Sequence, residues 1–323
     1  MPVIHPIIAD RPSLVPGPAP ADLRLRTLRL AGLVGLLSIC FWRPIFDLGR
    51  LAATSDLYSH VILIPVVVLY LVWVKRTELN ITSQNRGFPL LGIAFSLIAL
   101  VTLCIYWPNR TGLPINDYLS FTVLAYVCSL IAAAAFALGS GVTRQLLLPL
   151  CFLLLMVPFP TPVEHAIEMF FQYTSADAAA VLFNLSGTPT LRDGLTFQVP
   201  AVTIRVAQEC SGIRSSLVLF ITSAIAGYIF LCTAWKRALL TLFVIPLGIV
   251  RNAFRIWLLA VLCDYIDPTI LHSPLHKRGG PLFFALSLIP FFALLLWLWR
   301  SERKALKAKT APLSDLGSRT SDL

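Results

Sequence analysis

The sequence predicts an all-α polytopic membrane protein with about eight transmembrane helices and with both termini in the cytoplasm. Hydrophobic residues make up 57% of the 323 residues and charged residues only 13%, and the mean hydropathy is +0.79. A soluble domain is about 45–50% apolar and about 25% charged, so this apolar excess is too large for one soluble core. The apolar residues also form separate runs, and basic residues lie between alternate runs.

Eight apolar runs are candidates for spanning helices, which need about 20 residues each. They cover residues 28–42, 61–74, 88–107, 118–138, 145–159, 211–232, 238–253 and 281–299. The first, second and fifth runs are short, so their flanking residues must contribute if these runs cross a bilayer.

The distribution of basic residues supports the count of eight, because cytoplasmic loops collect Lys and Arg. With the N-terminus inside, all five predicted cytoplasmic regions are basic; they contain Arg24, Arg26, Arg29, Lys75, Arg76, Arg86, Arg144, Lys236, Arg237, Arg300, Arg303, Lys304, Lys307 and Lys309. Removing one helix would invert the topology after it. The same rule accounts for the net charge of +10, so a nucleic-acid partner is not predicted.

Three regions follow from this topology. Residues 1–27 are rich in proline and lack a basic region followed by an apolar core and a cleavage site, which predicts a disordered cytoplasmic segment rather than a signal peptide. Residues 28–299 are predicted to form a single transmembrane domain, and residues 300–323 a basic cytoplasmic tail.

The largest predicted outer-face region is residues 160–210. Its first part has apolar residues at helical spacing with Glu164, Glu168 and Asp177 among them, which predicts an amphipathic helix at the membrane interface. In its second part the turn signal Asp193-Gly194 separates runs that alternate in strand fashion, which predicts a small β-hairpin leading into the sixth helix.

Three segments carry reactive side chains to the predicted outer face. They are RVAQECSGIRSS at residues 205–216, VRNAFRIW at residues 250–257 and LHSPLHKRGGPLFF at residues 271–284. Together they supply one cysteine, several arginines and two histidines, which is the strongest functional signal in the sequence.

Cys210 in the first segment has the surroundings of a nucleophile. The thiol is predicted in the first turn of a helix, where unpaired N–H groups and the helix dipole favour an anion, and Arg214 one turn later favours the thiolate as well. Gly212 leaves room for a substrate backbone. An arginine of the second segment could hold an oxyanion, and a histidine of the third could act as acid and base. The set predicts acyl transfer through a thioester.

Other interpretations of the same residues stay open. Cys210 and Cys263 could form a disulfide, because the compartment outside a bacterial cytoplasm is oxidising. Of Arg251 and Arg255, one helical turn apart, at most one needs a catalytic role. His272 and His276 have the spacing of a metal pair, but Pro274 lies between them and no carboxylate is near, so no metal is predicted. Six cysteines are interpreted as packing residues: Cys40, Cys104, Cys128, Cys151, Cys232 and Cys263.

The blocks ECSGIRS, RNAFRIW and HKRGGPLFF resemble the three signature blocks of the exosortase/archaeosortase family. In that family a Cys, an Arg and a His on the outer face of a multi-helix membrane protein are the proposed catalytic residues. The resemblance covers roughly residues 56–299. The positions that match the family blocks are Cys210, Ser211, Gly212, Arg214 and Ser215 in the first block, Asn252 and Arg255 in the second, and His276 with Gly280 in the third.

The resemblance implies a cysteine transpeptidase-like sorting enzyme of the bacterial inner membrane, with its active site facing the periplasm and without a cofactor. Its partners would be exported proteins that end in a Pro-Glu-Pro-type motif, a transmembrane helix and a basic cluster. The family is linked to extracellular polysaccharide production. In this hypothesis Cys210 attacks the scissile carbonyl, Arg255 stabilises the oxyanion, His276 acts as acid and then base, and Arg214 supports the thiolate.

Two other functions are weighed against this one. A non-proteolytic membrane component of extracellular polysaccharide export would use the arginines to bind a lipid-linked sugar phosphate, but Cys210 would then have no role. A transporter would need ionisable residues in mid-membrane, and the apolar runs contain almost none. For the enzyme, water as the acyl acceptor predicts a protease, whereas an amine predicts a ligase-like sorter.

Overall fold

The computed structural model describes residues 20–55, 57–76, 90–109, 111–206, 212–267 and 280–317. Helices dominate these residues, as the sequence predicts. The contacts divide the chain into two compact units, Met1–Thr161 and Pro162–Leu323. Each unit has its own packed interior.

Helices α1 to α6 belong to the first unit: α1 is Pro20–Cys40, α2 is Trp42–Thr54, α3 is Ile64–Lys75, α4 is Leu90–Asn109, α5 is Ile115–Leu138 and α6 is Ser140–Cys151. Short 3₁₀ helices, Ser59–Ile62 and Phe152–Met156, precede α3 and follow α6. Helix α7, Thr161–Ser186, begins at the unit boundary. The second unit continues with strands β1 (Leu191–Asp193), β2 (Thr196–Val199) and β3 (Val202–Arg205) and helices α8 (Ile213–Phe230), α9 (Ala234–Tyr265) and α10 (Gly280–Gly317).

Five helices among the described residues are long and apolar enough to cross a membrane, namely α4, α5, α8, α9 and α10. The count rises to seven if two bent helix pairs each form one span, and α1 with α2, bent by 75°, is one of those pairs. Helix α3 has only 12 residues, because the α-helix begins next to Pro65 and the chain before it is 3₁₀. A multi-pass fold is therefore confirmed, while eight spans with both termini in the cytoplasm stay a prediction.

Helix α5 lies at the centre of the first unit, since most of its length is buried. It packs on α4 and α1, and the Ser38 hydroxyl of α1 lies 2.9 Å from the Tyr126 hydroxyl of α5. Gly139, at a φ of +88°, ends α5 in a backbone conformation that side chains disfavour, and α6 follows at once. Gly139 thus separates α5 from α6.

The second unit has two packed layers. Helices α8, α9 and α10 share an apolar core that includes the fully buried Leu219, Leu240 and Phe291. On another side of α9, strands β2 and β3 and helix α7 form a second core around Phe183 and Phe197, whose ring centroids are 5.3 Å apart. Helix α9 contributes to both cores, so it is the structural centre of this unit.

The strands form a three-stranded antiparallel sheet in the order β1-β2-β3, where the sequence predicts a two-stranded hairpin. Asp264 of α9 accepts a hydrogen bond from the Ala201 backbone N–H at 3.1 Å, which fixes the turn between β2 and β3. Strand pairing extends to Val206, whose N–H donates to the Leu195 carbonyl at 2.9 Å. The chain is therefore held against α7 and α9 until four residues before Cys210.

Helices extend into both predicted terminal regions. Helix α1 begins at Pro20, before the start predicted at residue 28, and α10 continues to Gly317, beyond the apolar run that ends at residue 299. The six cysteines that the structure describes divide into two groups: Cys128 and Cys263 are buried and Cys151 is half-buried, whereas Cys40, Cys104 and Cys232 are exposed on the protein surface.

A buried carboxylate joins α10 to the start of α9. The two oxygens of Glu302 accept hydrogen bonds from the backbone N–H groups of Cys232 and Thr233, both at 2.9 Å, and Glu302 is 6% exposed. Beside it, the Lys236 ammonium donates to the Ser301 hydroxyl at 2.7 Å. The carboxylate thus caps the N-terminus of α9 from another helix, where the helix dipole favours a negative charge.

Replacing Glu302 by Gln is expected to destabilise the second unit by about 1.5–3 kcal/mol, because charge-assisted hydrogen bonds to two N–H groups become one neutral bond. The thermal unfolding temperature of the purified protein in detergent measures this loss. Asp193→Asn removes an exposed carboxylate from β1 and is the matched control with no expected shift. Equal unfolding temperatures for both variants would contradict the capping role.

Candidate functional site

Gly212 forms the N-terminal cap of α8. Its φ of +72° lies in the left-handed region, and its carbonyl accepts the first helical hydrogen bond, from the Ser216 N–H at 3.0 Å. A Cβ atom at this position would lie 3.3 Å from Nη2 of Arg251 and 3.5 Å from Cγ of Asn252. Glycine is therefore required twice, once by the backbone conformation and once by the close approach of α9.

Arg251 of α9 donates hydrogen bonds to this turn. Its Nη2 donates to the Gly212 carbonyl at 3.2 Å and to the Ser216 hydroxyl at 3.3 Å. The side chain of Arg251 is 8% exposed and that of Asn252 is 2% exposed. A buried guanidinium and a buried amide thus lie against the turn at which α8 begins.

Helices α8 and α9 lie close together at Gly248, one turn before Arg251. A Cβ atom on Gly248 would lie 2.5 Å from the Ser216 hydroxyl oxygen, a distance that real side chains do not adopt, and 3.6 Å from Cε1 of Phe171 on α7. Gly248 therefore allows the three helices to meet. The same close approach brings the Ser216 hydroxyl within reach of Arg251.

Replacing Gly248 by Ala is expected to push Ser216 away and to break its hydrogen bond with Arg251. The expected loss is about 1–3 kcal/mol in unfolding free energy, as for other overpacked interiors. It is measured as a lower thermal unfolding temperature in detergent.

Two further variants separate this clash from a general effect of alanine in a helix. Gly227→Ala is the matched control, because a Cβ there meets its nearest atom, Cα of Arg237, at an ordinary 3.6 Å. Ser216→Ala in the Gly248→Ala background should restore part of the stability, since the nearest remaining atom, the Ser216 Cβ, lies 3.4 Å away. A double variant no more stable than Gly248→Ala alone would contradict the explanation.

The structure brings together two of the residues that the sequence selects, Gly212 and Asn252. Arg255 is half-buried one helical turn beyond Arg251 on α9, and Arg214 is exposed in the first turn of α8. Cys210, Ser211, His272 and His276 lie outside the described residues. Gly280, four positions after His276, is the first residue of α10.

Arg251 is the residue to which the sequence assigns no separate role. Its signal is present in the sequence, because Arg251 directly precedes Asn252 and lies one helical turn before Arg255. Periodicity alone does not show which of two arginines faces the interior, and the structure shows that Arg251 is buried against the Gly212 turn. Within the described ranges, no cluster of three or more His, Cys, Asp or Glu side chains forms a metal site.

These helices and the buried polar site define a multi-pass membrane protein with a polar turn at the start of one helix. Residues 52–293 match the family model described as transmembrane exosortase (Exosortase_EpsH). Because this match covers more than half of the chain, the protein belongs to the transmembrane exosortase family. Neither the curated proteins nor the solved structures contain a significant match to the chain. Members of the family are generally cysteine transpeptidases, which supports a membrane transpeptidase-like role.

Proposed function

We propose that the protein is a membrane-embedded cysteine transpeptidase or protease that cleaves C-terminal sorting signals of exported proteins through a thioester on Cys210. The signals are of the Pro-Glu-Pro type, followed by a transmembrane helix and a basic cluster. The enzyme acts in the bacterial inner membrane, with its reactive residues on the periplasmic side. Family membership and the buried site at the start of α8 support this function.

The observation that carries the proposal is the support of the Gly212 turn by Arg251 and Asn252. Cys210 is two peptide bonds before Gly212, so their Cα atoms can be no more than about 7.6 Å apart. A turn held by a buried guanidinium is suited to a nearby nucleophile, because a positive charge is close. Such a charge favours the thiolate over the thiol.

The proposed reaction proceeds in two acyl transfers. The Cys210 thiolate attacks the scissile carbonyl, and Arg255 stabilises the resulting oxyanion. His276 donates a proton to the leaving amine, the C–N bond breaks and a thioester remains. His276 then takes a proton from water or from an acceptor amine, which attacks the thioester and returns the thiolate.

Residues near the nucleophile have supporting roles in this mechanism. Arg214, exposed in the first turn of α8, adds positive charge beside Cys210. Gly212 allows the start of α8 to lie close to Arg251 and Asn252 of α9. Ser211 is proposed as a further supporting residue next to Cys210. No cofactor takes part in the proposed chemistry.

Mass spectrometry of a substrate's new C-terminus tests the proposed function. A signal-bearing protein is co-expressed with the wild-type enzyme, with Cys210→Ala and with Cys40→Ala, which replaces an exposed cysteine of α1. We expect the same cleaved or transferred product with the wild-type enzyme and with Cys40→Ala, and uncleaved protein with Cys210→Ala. A processed substrate in the presence of Cys210→Ala would exclude the thioester mechanism.

A further inference from the structure

Arg251 uses only part of its guanidinium group to hold the Gly212 turn. Nη2 makes both of its hydrogen bonds, to the Gly212 carbonyl and the Ser216 hydroxyl. Nη1 is shielded from solvent and has no hydrogen-bond partner among the described residues. An N–H group that is buried without an acceptor is costly, and a buried charge normally has a counter-charge.

A second buried polar atom lies on α7, which packs against α9. The Ser175 hydroxyl of α7 is fully buried and also has no hydrogen-bond partner among the described residues. Phe171 of α7 approaches Gly248 of α9, and further along both helices Ser186 accepts a hydrogen bond from the Trp257 indole at 3.0 Å.

These two contacts show that α7 and α9 run in the same direction along their interface. Ser175 is one turn beyond Phe171, and Arg251 is about one turn beyond Gly248. The unused polar atoms of Ser175 and Arg251 are therefore at a similar level of the second unit, and both belong to helices next to the start of α8.

The surroundings of Arg251 favour an anion. Helix α8 has 18 residues, and its N-terminus at Gly212 directs the positive end of its dipole to this place. No carboxylate among the described residues pairs with Arg251. Gly212 is half-buried and Arg214 is exposed, so the start of α8 lies at the protein surface.

We propose that Arg251 is a specificity-determining residue that binds, through Nη1, a carboxylate side chain of the acyl-donor peptide next to the bond that Cys210 attacks. This inference rests on the proposed function, since it assumes a peptide donor at Cys210. A carboxylate supplies the acceptor that Nη1 needs and the counter-charge that the buried guanidinium needs. The role differs from oxyanion stabilisation, because the carboxylate is bound before any bond is broken.

Peptide binding to the full-length Cys210→Ala protein tests the proposal without turnover. The probes are two fluorescent peptides that contain Pro-Glu-Pro or Pro-Gln-Pro, with a membrane-anchoring segment, and the protein is held in nanodiscs. We expect the glutamate peptide to bind about 10- to 100-fold more tightly than the glutamine peptide. Arg251→Gln in the same background should reduce this ratio to near one.

Two control variants make the result specific. Arg205→Gln removes an exposed arginine at the end of β3 and should leave the ratio unchanged. Arg251→Lys keeps the charge but not the planar pair of donors, so we expect an intermediate ratio. Thermal unfolding reports whether each variant is folded, and if Arg251→Gln is not, Arg251→Lys and the two peptides still decide the question.

Three results would overturn the proposal. The first is equal binding of both peptides to the starting protein. The second is a glutamate preference that persists in folded Arg251→Gln. The third is that Arg251 pairs with Glu209 of the enzyme itself. In that case Arg251→Gln would no longer change the ratio of peptide affinities when Glu209 is also replaced by Gln. A normal glutamate preference, without cleavage by the Cys210-containing enzyme, would support the binding site and contradict the proposed function.

Discussion

Replacing His276 by Ala is expected to lower the rate of signal cleavage by about 10²- to 10⁴-fold, the usual contribution of a general acid–base group. In the proposed mechanism the leaving amine cannot depart without a proton from His276, and the acceptor cannot be activated. The measurement is single-turnover cleavage of a signal peptide by the purified enzyme in nanodiscs.

His272→Ala is the matched control for this variant, because it removes the same side chain four positions earlier in the same segment. We expect it to retain most of the wild-type rate, and we expect added imidazole to restore part of the activity of His276→Ala only. A larger loss for His272→Ala would move the acid–base role from His276 to His272.

Replacing Arg255 by Gln is expected to lower kcat by about 10²- to 10³-fold, as removal of one oxyanion donor does in other acyl-transfer enzymes. Because the oxyanion exists only in the transition state and the intermediate, kcat and kcat/KM should fall equally. Arg205→Gln is the control, since that arginine is exposed on β3. A rise in KM with kcat unchanged would show that Arg255 binds the substrate in its ground state.

The sequence predicts the fold correctly where an apolar run is long enough to span a membrane by itself. The long runs at residues 88–107, 118–138 and 281–299 all become helices long enough to span a membrane. The shorter runs could not be assigned by length, because backbone chemistry decides where they end. Helix α3 begins at Ile64, next to Pro65, although the predicted run begins at residue 61. The first run becomes α1, which is one half of the bent pair of α1 and α2.

The small sheet illustrates a second limit of sequence patterns. Alternation and the Asp193-Gly194 turn correctly indicate extended structure before α8, but they predict a hairpin and the structure has three strands. Strand β3 pairs with β2, and the turn between them is held by a contact distant in sequence, the hydrogen bond from the Ala201 N–H to Asp264 of α9. Such a contact has no local signature.

In the candidate site, too, local motifs can be found in the sequence, whereas contacts between distant residues cannot. The Cys-Ser-Gly block and the Asn-x-x-Arg block can be found in the sequence, and the structure shows that Gly212 and Asn252 of these blocks lie together. The role of Arg251 could not be found in this way, because its burial depends on the close approach of α8 and α9 at Gly248. A glycine in an apolar helix gives no indication of which partner it admits.

Detection of an acyl group on Cys210 tests the central claim most directly. Purified enzyme is mixed with a signal peptide, quenched in acid within the first turnover, digested and analysed by mass spectrometry, with and without hydroxylamine. The account predicts that the amino-terminal part of the peptide is attached to Cys210, that hydroxylamine removes it and that Cys210→Ala forms no adduct. Cleavage of the peptide without any adduct on Cys210, or cleavage at the wild-type rate by Cys210→Ala, would contradict it.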